Sequence, residues 1–199
     1  MPRATLGPPP EGFHYHPDFL SVAEERALID KIRTLEFSEV RMHGVLAKRR
    51  VAHFGWIYGY ESWRLTRGPQ VPQFLLPWRE RAAHLLGLEP PDLSEILVTQ
   101  YQPGAAIGWH RDAPMFGPQV VGLSLGSACR FRFRRREAGR FRSTTLALEP
   151  RSAYILSGTA RTVWQHSIPT TKDIRYSITF RTVLNESRWR ATHDQAIME

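Results

Sequence analysis

The sequence predicts a mainly β protein of the α+β kind, a sheet sandwich or barrel with helices on one side. Two helical patterns occur in the first 90 residues, whereas patterns with a period of two dominate from residue 95 to residue 183. Clusters of Pro, Gly and Ser separate the later segments, as expected between short strands. With 199 residues, 42% of them hydrophobic, the chain is long enough to bury a core.

Both predicted helices have recognisable start signals. Residues Ser21–Glu24 match the capping-box pattern and apolar residues follow at helical spacing, which predicts a helix over about 21–34. A second helix is expected over about 77–86, with Pro77 near its first turn and Gly87 at its end.

The other elements are predicted as strands, because apolar residues recur there with a period of two or in short runs. The segment "RFRFR" alternates strictly, so its arginines take one face and Phe131 and Phe133 take the other. No element is predicted for the polar residues 184–199. The predicted strands cover 50–58, 95–101, 120–126, 130–134, 152–158 and 175–183.

The start of the chain and its cysteine content bear on where the protein works. Residues 1–12 are Pro-rich and predict a loose lead-in to a single domain over 13–199. They contain no apolar signal core, and no apolar run approaches the roughly 20 residues needed to cross a membrane. The single cysteine, Cys129, excludes an internal disulfide and a Cys-cluster zinc site. We therefore expect a cytoplasmic protein with no membrane partner, and we expect it to be monomeric.

The charge of the chain favours a polyanionic partner such as nucleic acid. The net charge is +8, from 27 Lys and Arg against 19 Asp and Glu. Colloidal stability of a soluble basic protein is the alternative explanation. The segment 130–142 holds seven arginines and one acidic residue, Glu137. It would either follow a phosphate backbone or form a hairpin edge that its charge protects from aggregation.

The segment "GWHRDAP" at 108–114 is the first candidate for chemistry. His110 and Asp112 lie at positions i and i+2, so in extended backbone both side chains reach the same metal ion. His166, near the end of the strand-rich region, is the best candidate for a third ligand. Two imidazoles and one carboxylate form the facial triad of non-haem Fe(II) oxygenases, which leaves positions open for a co-substrate and O2. The alternative is a turn aspartate beside a solvated histidine.

Two arginines of the last predicted strand are the second candidate. Arg175 and Arg181 are an even number of residues apart, so they share one strand face with Ser177 and Thr179. Inside a barrel, a guanidinium fork would bind a carboxylate through two hydrogen bonds. The Fe(II) oxygenases need such a contact, because their co-substrate 2-oxoglutarate is a dicarboxylate. Solvated arginines on an ordinary amphipathic strand are the alternative.

Taken together, these motifs resemble the AlkB family of Fe(II)/2-oxoglutarate-dependent dioxygenases. The matching parts are "QYQPGAAIGWHRD" at 100–112, the isolated His166 and "RYSITFR" at 175–181. Their order and separations agree with the family over about 95–183, which would be the catalytic core. "HFGW" at 53–56 is similar to the substrate-lid region of the family. The resemblance implies a double-stranded β-helix, or jelly roll, flanked by N-terminal helices and holding a site in its mouth.

The resemblance also implies how the cofactors are held. Arg175 and Tyr101 would bind the distal carboxylate of 2-oxoglutarate, and Arg181 would lie near its iron-side carboxylate or the substrate. Thr99 departs from close relatives, which carry asparagine at this position, and its shorter hydroxyl would reach the co-substrate only through water or a small shift. The ligands of the Fe(II) ion would be His110, Asp112 and His166.

The implied activity is the oxidative dealkylation of nucleobases in DNA or RNA, with succinate, CO2 and an aldehyde as products. Trp56 would stack on the base, which is taken from a single strand or flipped out of a duplex. Arg111 faces away from the two ligands beside it and is interpreted as a structural or phosphate-contacting residue. Ala113 and Pro114 stand where some relatives carry acidic residues that help to read the base, so the preferred base is not predicted.

Other classes of function remain open from the sequence. A related oxygenase would act on a tRNA wobble base or on a protein, and a non-catalytic nucleic-acid-binding module would use the same barrel. "GLSLG" at 122–126 also fits the Gly-x-Ser-x-Gly elbow of hydrolases. That elbow requires a helix after the serine, whereas β alternation follows here.

Overall fold

The computed structural model describes residues 7–42, 45–59 and 64–184. These ranges contain three α-helices, α1 (Val22–Ile32), α2 (Leu76–Leu86) and α3 (Gly158–Thr162), and two short 3-10 turns at Gln73–Leu75 and Pro90–Asp92. They also contain thirteen strands: β1 (Phe13–His16), β2 (Ser38–Met42), β3 (Val45–Phe54), β4 (Trp56–Gly59), β5 (Arg64–Arg67), β6 (Glu95–Tyr101), β7 (Ile107–His110), β8 (Phe116–Leu125), β9 (Cys129–Glu137), β10 (Arg140–Leu148), β11 (Ser152–Leu156), β12 (Gln165–Ile168) and β13 (Arg175–Val183).

The strands form two sheets and one separate hairpin. The major sheet has seven strands in the order β1-β11-β8-β13-β6-β3-β2, and the minor sheet has four in the order β10-β9-β12-β7. Strands β4 and β5 pair only with each other in the described residues. Every pairing is antiparallel. The two larger sheets are the sandwich that the sequence predicted.

Two hydrophobic clusters define the layers of the sandwich. The first lies between the helices and the major sheet, where Ile32 of α1 and Ala82 of α2 are buried with Ile178 and Phe180 of β13. The second contains apolar side chains from both sheets and includes Phe131, Phe133, Val120, Tyr154 and Leu156. Helices α1 and α2 therefore cover one face of the major sheet, as predicted, and the other face of that sheet is free to form a site. No helix among the described residues is both long and apolar enough to cross a bilayer.

The two predicted helices are present with their capping signals. Ser21 and Glu24 form a reciprocal capping box at the start of α1: the Glu24 amide donates to Ser21 Oγ over 3.2 Å, and the Ser21 amide donates to Glu24 Oε2 over 2.7 Å. Helix α2 ends at Gly87 in the left-handed region, with φ of 65°. Each helix is bounded within two residues of the prediction, because its caps are local features of the sequence.

The predicted strands at 95–101 and 175–183 are confirmed with the same bounds as β6 and β13. The predicted strand at 50–58 is wrong as one element, because it is split at Gly55 into β3 and β4. Gly55 has φ of +78°, and a Cβ there would lie 2.0 Å from the carbonyl oxygen of Ser94. Glycine alone fits this close approach without strain. The break separates the β4–β5 hairpin from the major sheet.

The end of the Pro-rich segment is attached to the fold. The Phe13 amide donates to the Pro10 carbonyl, the Ser157 amide donates to the Gly12 carbonyl over 2.8 Å, and the Ala160 amide donates to the Glu11 carbonyl over 2.9 Å. The expectation of a loose lead-in is therefore wrong for residues 10–12. Residues 1–6 and 185–199, which include most of the polar C-terminal stretch, lie outside the described residues.

Candidate active site

A small cavity of about 50 Å³ lies between the two sheets. It has room for a few water-sized groups. The major sheet contributes polar residues from β6 and β13, and the minor sheet contributes the predicted metal ligands. Among the lining residues are Thr99, Tyr101, Ser177, Thr179, Arg181, His110, Asp112 and His166. The cavity therefore brings together most of the site residues that the sequence predicted.

Strand pairing places the two candidate histidine ligands side by side. His110 of β7 lies directly opposite His166 of β12, and their ring centroids are 4.3 Å apart. The His110 Nδ1–H donates to the Gly108 carbonyl over 2.9 Å, which fixes the ring and leaves Nε2 available as a ligand. His166 Nε2 lies 3.8 Å from Asp112 Oδ2. The three predicted ligands thus meet at one end of the cavity.

The protonation states of these residues suit metal ligands. Burial, with a smaller contribution from His110, lowers the pKa of His166 to about 3. Burial also lowers the pKa of His110, although Asp112 opposes this effect. Burial alone would raise the pKa of Asp112, but the charges of Arg181, His166 and Arg161 hold it well below its usual range. At neutral pH both imidazoles are neutral and the carboxylate is ionised, as binding a cation requires.

The donor set fits Fe(II), and the three side chains are slightly further apart than a bound ion would hold them. Ligand distances of about 2.1 Å place neighbouring ligand atoms of an octahedron about 3 Å apart. The 3.8 Å between His166 and Asp112 exceeds this value, and no group of three His, Cys, Asp or Glu side chains in the described ranges has the spacing of a formed metal site. A closure of about 0.8 Å brings this pair to that spacing.

Arg181 holds the carboxylate ligand in place. Its Nε and Nη2 donate to Asp112 Oδ1 over 2.9 and 2.6 Å, and its Nη1 donates to Glu95 Oε2 over 2.8 Å. The other carboxylate oxygen, Asp112 Oδ2, faces His166. The sequence placed Arg181 near the iron-side carboxylate of 2-oxoglutarate or near the substrate, and that role stays a prediction. In the structure Arg181 lines the cavity and contacts a predicted iron ligand.

Sequence reasoning missed Glu95. Its side chain is 1% exposed, and burial raises its pKa although Arg181 opposes the shift. Glu95 lies opposite Arg181 in the pairing of β6 with β13. The available signal was an acidic residue at the first position of the apolar strand "EILVTQY".

Arg161 of α3 was also missed, and no pattern in the sequence would have found it. Its Nη1 donates to the Asp112 carbonyl over 3.1 Å, and its Nη2 donates to the carbonyls of Ala113 and Phe116 over 2.9 and 3.1 Å. One buried guanidinium thus satisfies three backbone acceptors in the loop after Asp112. These three hydrogen bonds fix the backbone at and after Asp112, a predicted iron ligand.

Arg175 is fully buried beside the cavity. Its guanidinium carbon lies 5.0 Å from the Tyr101 ring centroid, and its Nη2 donates to Ser124 Oγ over 3.2 Å. Its Nε and Nη1 have no hydrogen-bond partner among the described residues. Arg175 does not itself line the cavity, but its neighbours Tyr101 and Ser177 do. Because unpaired buried N–H groups are costly, this guanidinium fits an incoming carboxylate.

The two predicted substrate residues lie away from the cavity lining. Trp56 is half-buried in the β4–β5 hairpin, with the Arg67 guanidinium 3.9 Å from its ring centroid. Arg111 is exposed, and its Nη1 donates to the Thr162 carbonyl over 3.1 Å. Tyr58 is buried and its ring packs edge-on against Phe116, which ties the hairpin to the loop after Asp112. The roles of Trp56 and Arg111 toward a base or phosphate stay predictions.

The hydrolase alternative is excluded by the position of its serine. Ser124 is fully buried inside β8 and accepts a hydrogen bond from Arg175. Strand β9 follows β8, where a nucleophile elbow requires a helix. Gly122 of the same motif is required by packing, because a Cβ there would lie 2.1 Å from the Tyr154 ring.

A family model decides the identity of this fold and site. The model described as "2OG-Fe(II) oxygenase superfamily" matches residues 12–181. The chain belongs to the 2OG-Fe(II) oxygenase superfamily. Fe(II) and 2-oxoglutarate, the predicted cofactor and co-substrate, are those of the superfamily.

The curated relatives confirm the predicted resemblance to AlkB. An alkylated DNA repair protein ALKBH8 homolog from Arabidopsis thaliana is 31% identical over 182 residues, which cover 79% of this chain and 51% of the relative. A tRNA (carboxymethyluridine(34)-5-O)-methyltransferase alkbh8 from Xenopus tropicalis is 28% identical over 163 residues, covering 80% of this chain and 25% of the relative. The chain thus spans about half or less of the length of these relatives.

A solved structure confirms the predicted jelly-roll fold. The structure of OsALKBH1 superposes with a TM-score of 0.69 and covers 88% of this chain and 99% of its own. The two sequences are only 16% identical, so this similarity shows a shared fold and says nothing about the substrate of this chain.

Proposed function

We propose that this protein is a 2-oxoglutarate-dependent dioxygenase that oxidatively dealkylates nucleobases in DNA or RNA. The observation that carries the proposal is the meeting of His110, Asp112 and His166 at one cavity, with the buried Arg175 beside it. The Arabidopsis relative is named for the repair of alkylated DNA. Membership of the superfamily and the net charge of +8 agree with oxidation of a polyanionic substrate.

The residues of the chain have distinct tasks in this reaction. Bound Fe(II) with 2-oxoglutarate and O2 supplies the oxidation of the N-alkyl group. His110, Asp112 and His166 would hold the ion from one side and leave its other positions open. Arg181 keeps Oδ2 of Asp112 directed to His166 by occupying Oδ1.

The co-substrate would lie along the polar side of the cavity. Arg175 would bind its distal carboxylate through the Nε–H and Nη1–H that have no partner in the described structure, and Tyr101 would add its hydroxyl. Thr99, two residues before Tyr101 in β6, lines the same wall of the cavity. Apolar lining residues such as Val120 and Phe131 exclude water from the reacting groups.

The substrate base would enter between the cavity and the β4–β5 hairpin. Tyr58 packs this hairpin against Phe116, next to the loop that follows Asp112. Trp56 would stack on the base after release from Arg67, which now covers its ring. The base must come from a single strand or be flipped out, because an alkyl group inside a duplex is out of reach.

Modification of a tRNA base is the second candidate for the function. The Xenopus relative is named for a tRNA uridine modification, although the chain covers only 25% of that protein.

We keep the predicted single domain over 13–199, with a catalytic core over about 95–183, and the predicted cytoplasmic, monomeric state as parts of this proposal. Oxidation of a protein side chain is the remaining candidate, and it is favoured if no strand in the assay below stimulates succinate release.

One assay separates these substrates. The protein is incubated with Fe(II), 2-oxoglutarate and one nucleic acid at a time. The nucleic acids are methylated single-stranded DNA, methylated double-stranded DNA, methylated RNA and unmodified tRNA, and the product masses are measured by mass spectrometry. We expect loss of a methyl group from a methylated strand together with succinate release. Oxygen added to unmodified tRNA with no demethylation would select the second candidate, and no strand-dependent succinate release would refute both.

Replacing the carboxylate ligand tests the iron assignment. We expect Asp112→Ala to abolish turnover, because the ion loses its anionic ligand, and to leave salt-dependent binding of nucleic acid largely intact. Asp112→Asn, which keeps the side-chain shape, is expected to lose turnover as well. Asp173→Ala, at an exposed aspartate, is the control with full turnover. Full activity in Asp112→Ala would contradict the assignment, and unchanged cellular function would favour a non-catalytic binding module.

A further inference from the structure

The minor sheet has a second face that points away from the cavity. Phe131 and Phe133 of β9 are buried on the cavity side, where the Phe131 ring lies 5.3 Å from His166. Because neighbouring residues of a strand point to opposite faces, the intervening arginines lie on the outer side. Two aromatic residues, Trp109 of β7 and Phe141 of β10, lie with them. This arginine face consists of Arg130, Arg132, Arg134, Arg136, Trp109 and Phe141.

Rings and guanidinium groups alternate across the arginine face. The Arg134 guanidinium lies 4.5 Å from the Trp109 ring centroid and 4.5 Å from that of Phe141, and the Arg132 guanidinium lies 4.8 Å from Trp109. Phe141 is 59% exposed although it is a large apolar residue. The face thus presents both positive charge and flat apolar rings to solvent.

The two central arginines are held in a fixed position with their ends free. Arg132 Nε donates to Ser167 Oγ over 3.2 Å, and Arg134 Nε donates to Gln165 Oε1 over 2.8 Å. Within the described ranges, their Nη atoms have no hydrogen-bond partner, and no carboxylate pairs with any arginine of the face. Glu137 pairs instead with Arg135 and Arg142, which lie outside this set. Anchored guanidinium groups with free ends are suited to bind phosphate oxygens.

Edge protection does not account for these arginines. Charged residues protect a sheet from aggregation when they lie on an edge strand. The edge strands of the minor sheet are β10 and β7, whereas β9 pairs on both sides, with β10 and with β12. β9 is paired on both sides at residues 132–134, so edge protection does not explain the outward side chains of Arg132 and Arg134, and these two arginines point to a ligand.

We propose that the arginine face binds the sugar-phosphate backbone and bases of the single strand that flanks the substrate nucleotide. The inference rests on the proposed function and adds to it a second contact surface. Arginines alternating along a strand are about 6.8 Å apart and would contact successive phosphates, while the exposed Phe141 stacks on a base. Trp109 directly precedes the ligand His110, so the face is one sheet away from the reaction centre. Binding here raises the affinity for long strands without contact with the reacting atoms.

The test measures binding of an unmodified, fluorescently labelled 15-nucleotide single strand to the metal-free protein over a range of salt concentrations. In Arg132→Gln/Arg134→Gln, we expect the Kd to rise about tenfold or more, because two charged contacts are lost. The slope of log Kd against log salt should fall by about 1.4, at about 0.7 for each phosphate contact. The KM advantage of a 15-nucleotide over a three-nucleotide methylated substrate should shrink in this variant.

A matched control separates this face from general charge. Arg26→Gln/Lys31→Gln removes two positive charges from exposed positions of α1 and should bind the strand as the wild type does. Arg130→Gln/Arg136→Gln, at two exposed arginines of the face, tests the proposal again if the first variant folds poorly. An unchanged Kd and salt slope in the folded variants, or an equal loss in the control, would overturn the inference. Because the labelled strand carries no lesion, this result does not depend on whether the protein demethylates any substrate.

Discussion

At the scale of single residues, one arginine governs the geometry of the predicted metal site. Arg181 lies between two buried carboxylates, Asp112 and Glu95, and binds both. Because one guanidinium binds both carboxylates, its position depends on Glu95 as well as on Asp112. Glu95 thus acts through Arg181 on the orientation of Asp112, and it is a positioning residue.

Glu95→Gln tests this role with little change of shape. The variant replaces a charged acceptor of Arg181 Nη1 with a neutral amide, so we expect Arg181 and Asp112 to lose their fixed orientation. Loss of such supporting contacts typically weakens metal affinity about 10–100-fold. The Fe(II) concentration for half-maximal 2-oxoglutarate turnover measures the effect, and Fe(II) binding by calorimetry checks it without turnover. Glu39→Gln, at an exposed strand position, is the control, and equal Fe(II) requirements in both variants would contradict the role.

Arg175→Ala tests the co-substrate contact at the same scale. Removing the charged partner of a buried carboxylate costs roughly 2–5 kcal/mol, so the 2-oxoglutarate requirement should rise steeply. Arg175→Lys keeps the charge but loses the planar fork, and its requirement should lie in between. The KM for 2-oxoglutarate measures both, with the exposed Arg33→Ala as control. An unchanged KM in Arg175→Ala would assign this side chain a purely structural role.

At the scale of the elements, the break at Gly55 gives the β4–β5 hairpin a direction different from that of β3. The Gly55 amide donates to the Pro69 carbonyl over 2.8 Å, and the Gly68 amide donates back to the Gly55 carbonyl over 2.9 Å. These two bonds close the base of the hairpin at the glycine. The position of the next residue, Trp56, therefore depends on a backbone conformation at Gly55 that residues with a Cβ adopt only under strain.

Gly55→Ala should destabilise the protein and displace the hairpin. The added Cβ meets the Ser94 carbonyl oxygen at 2.0 Å and also strains a positive φ, so we expect a loss of about 2 kcal/mol or more in the free energy of unfolding. Gly87→Ala is a matched control, because Gly87 has φ of +65° with nothing within 4 Å of its added Cβ. The urea midpoints of the two variants isolate the clash. A Gly55→Ala loss no larger than that of Gly87→Ala would show that the hairpin base adapts freely.

At the scale of the whole molecule, the two sheets bury histidines that an unfolded chain exposes. Burial and the charge of Arg181 lower the pKa of His53 to about 4, and burial and His110 lower that of His166 to about 3. In the unfolded chain both titrate near 6.5. Between these values the unfolded state binds protons that the folded state does not, so acid favours unfolding.

The metal-free protein should therefore lose stability as the pH falls from about 6.5 toward 4. Each such histidine contributes a slope of up to about 1.4 kcal/mol per pH unit, and the full contribution is present above the unfolded pKa. Urea midpoints in the presence of a chelator, measured from pH 7 to pH 5, test this expectation. His53→Gln should reduce the slope, and His84→Gln, at an exposed position of α2, should not. A midpoint independent of pH would contradict the prediction, because it would mean that the imidazoles titrate in the fold as they do in the unfolded chain.

The sequence by itself determined the features that depend on near neighbours. The capping box of α1, the glycine end of α2 and the bounds of β6 and β13 were all predicted, because caps and strand patterns act within a few residues. The same holds for His110 and Asp112, whose spacing directs both side chains to one face of extended backbone.

The tertiary structure decided which distant residues meet. His166 comes to His110 only through the pairing of β12 with β7, and Glu95 comes to Arg181 only through the pairing of β6 with β13. Such pairings are selected by burial over the whole sandwich, and a local pattern contains no information about the partner strand. The contacts of Arg161 with the loop after Asp112, and those of Trp109 and Phe141 with the arginines of β9, depend in the same way on how the elements pack. The chemistry of the candidate site was therefore readable in the sequence, whereas its supporting contacts appear only in the folded chain.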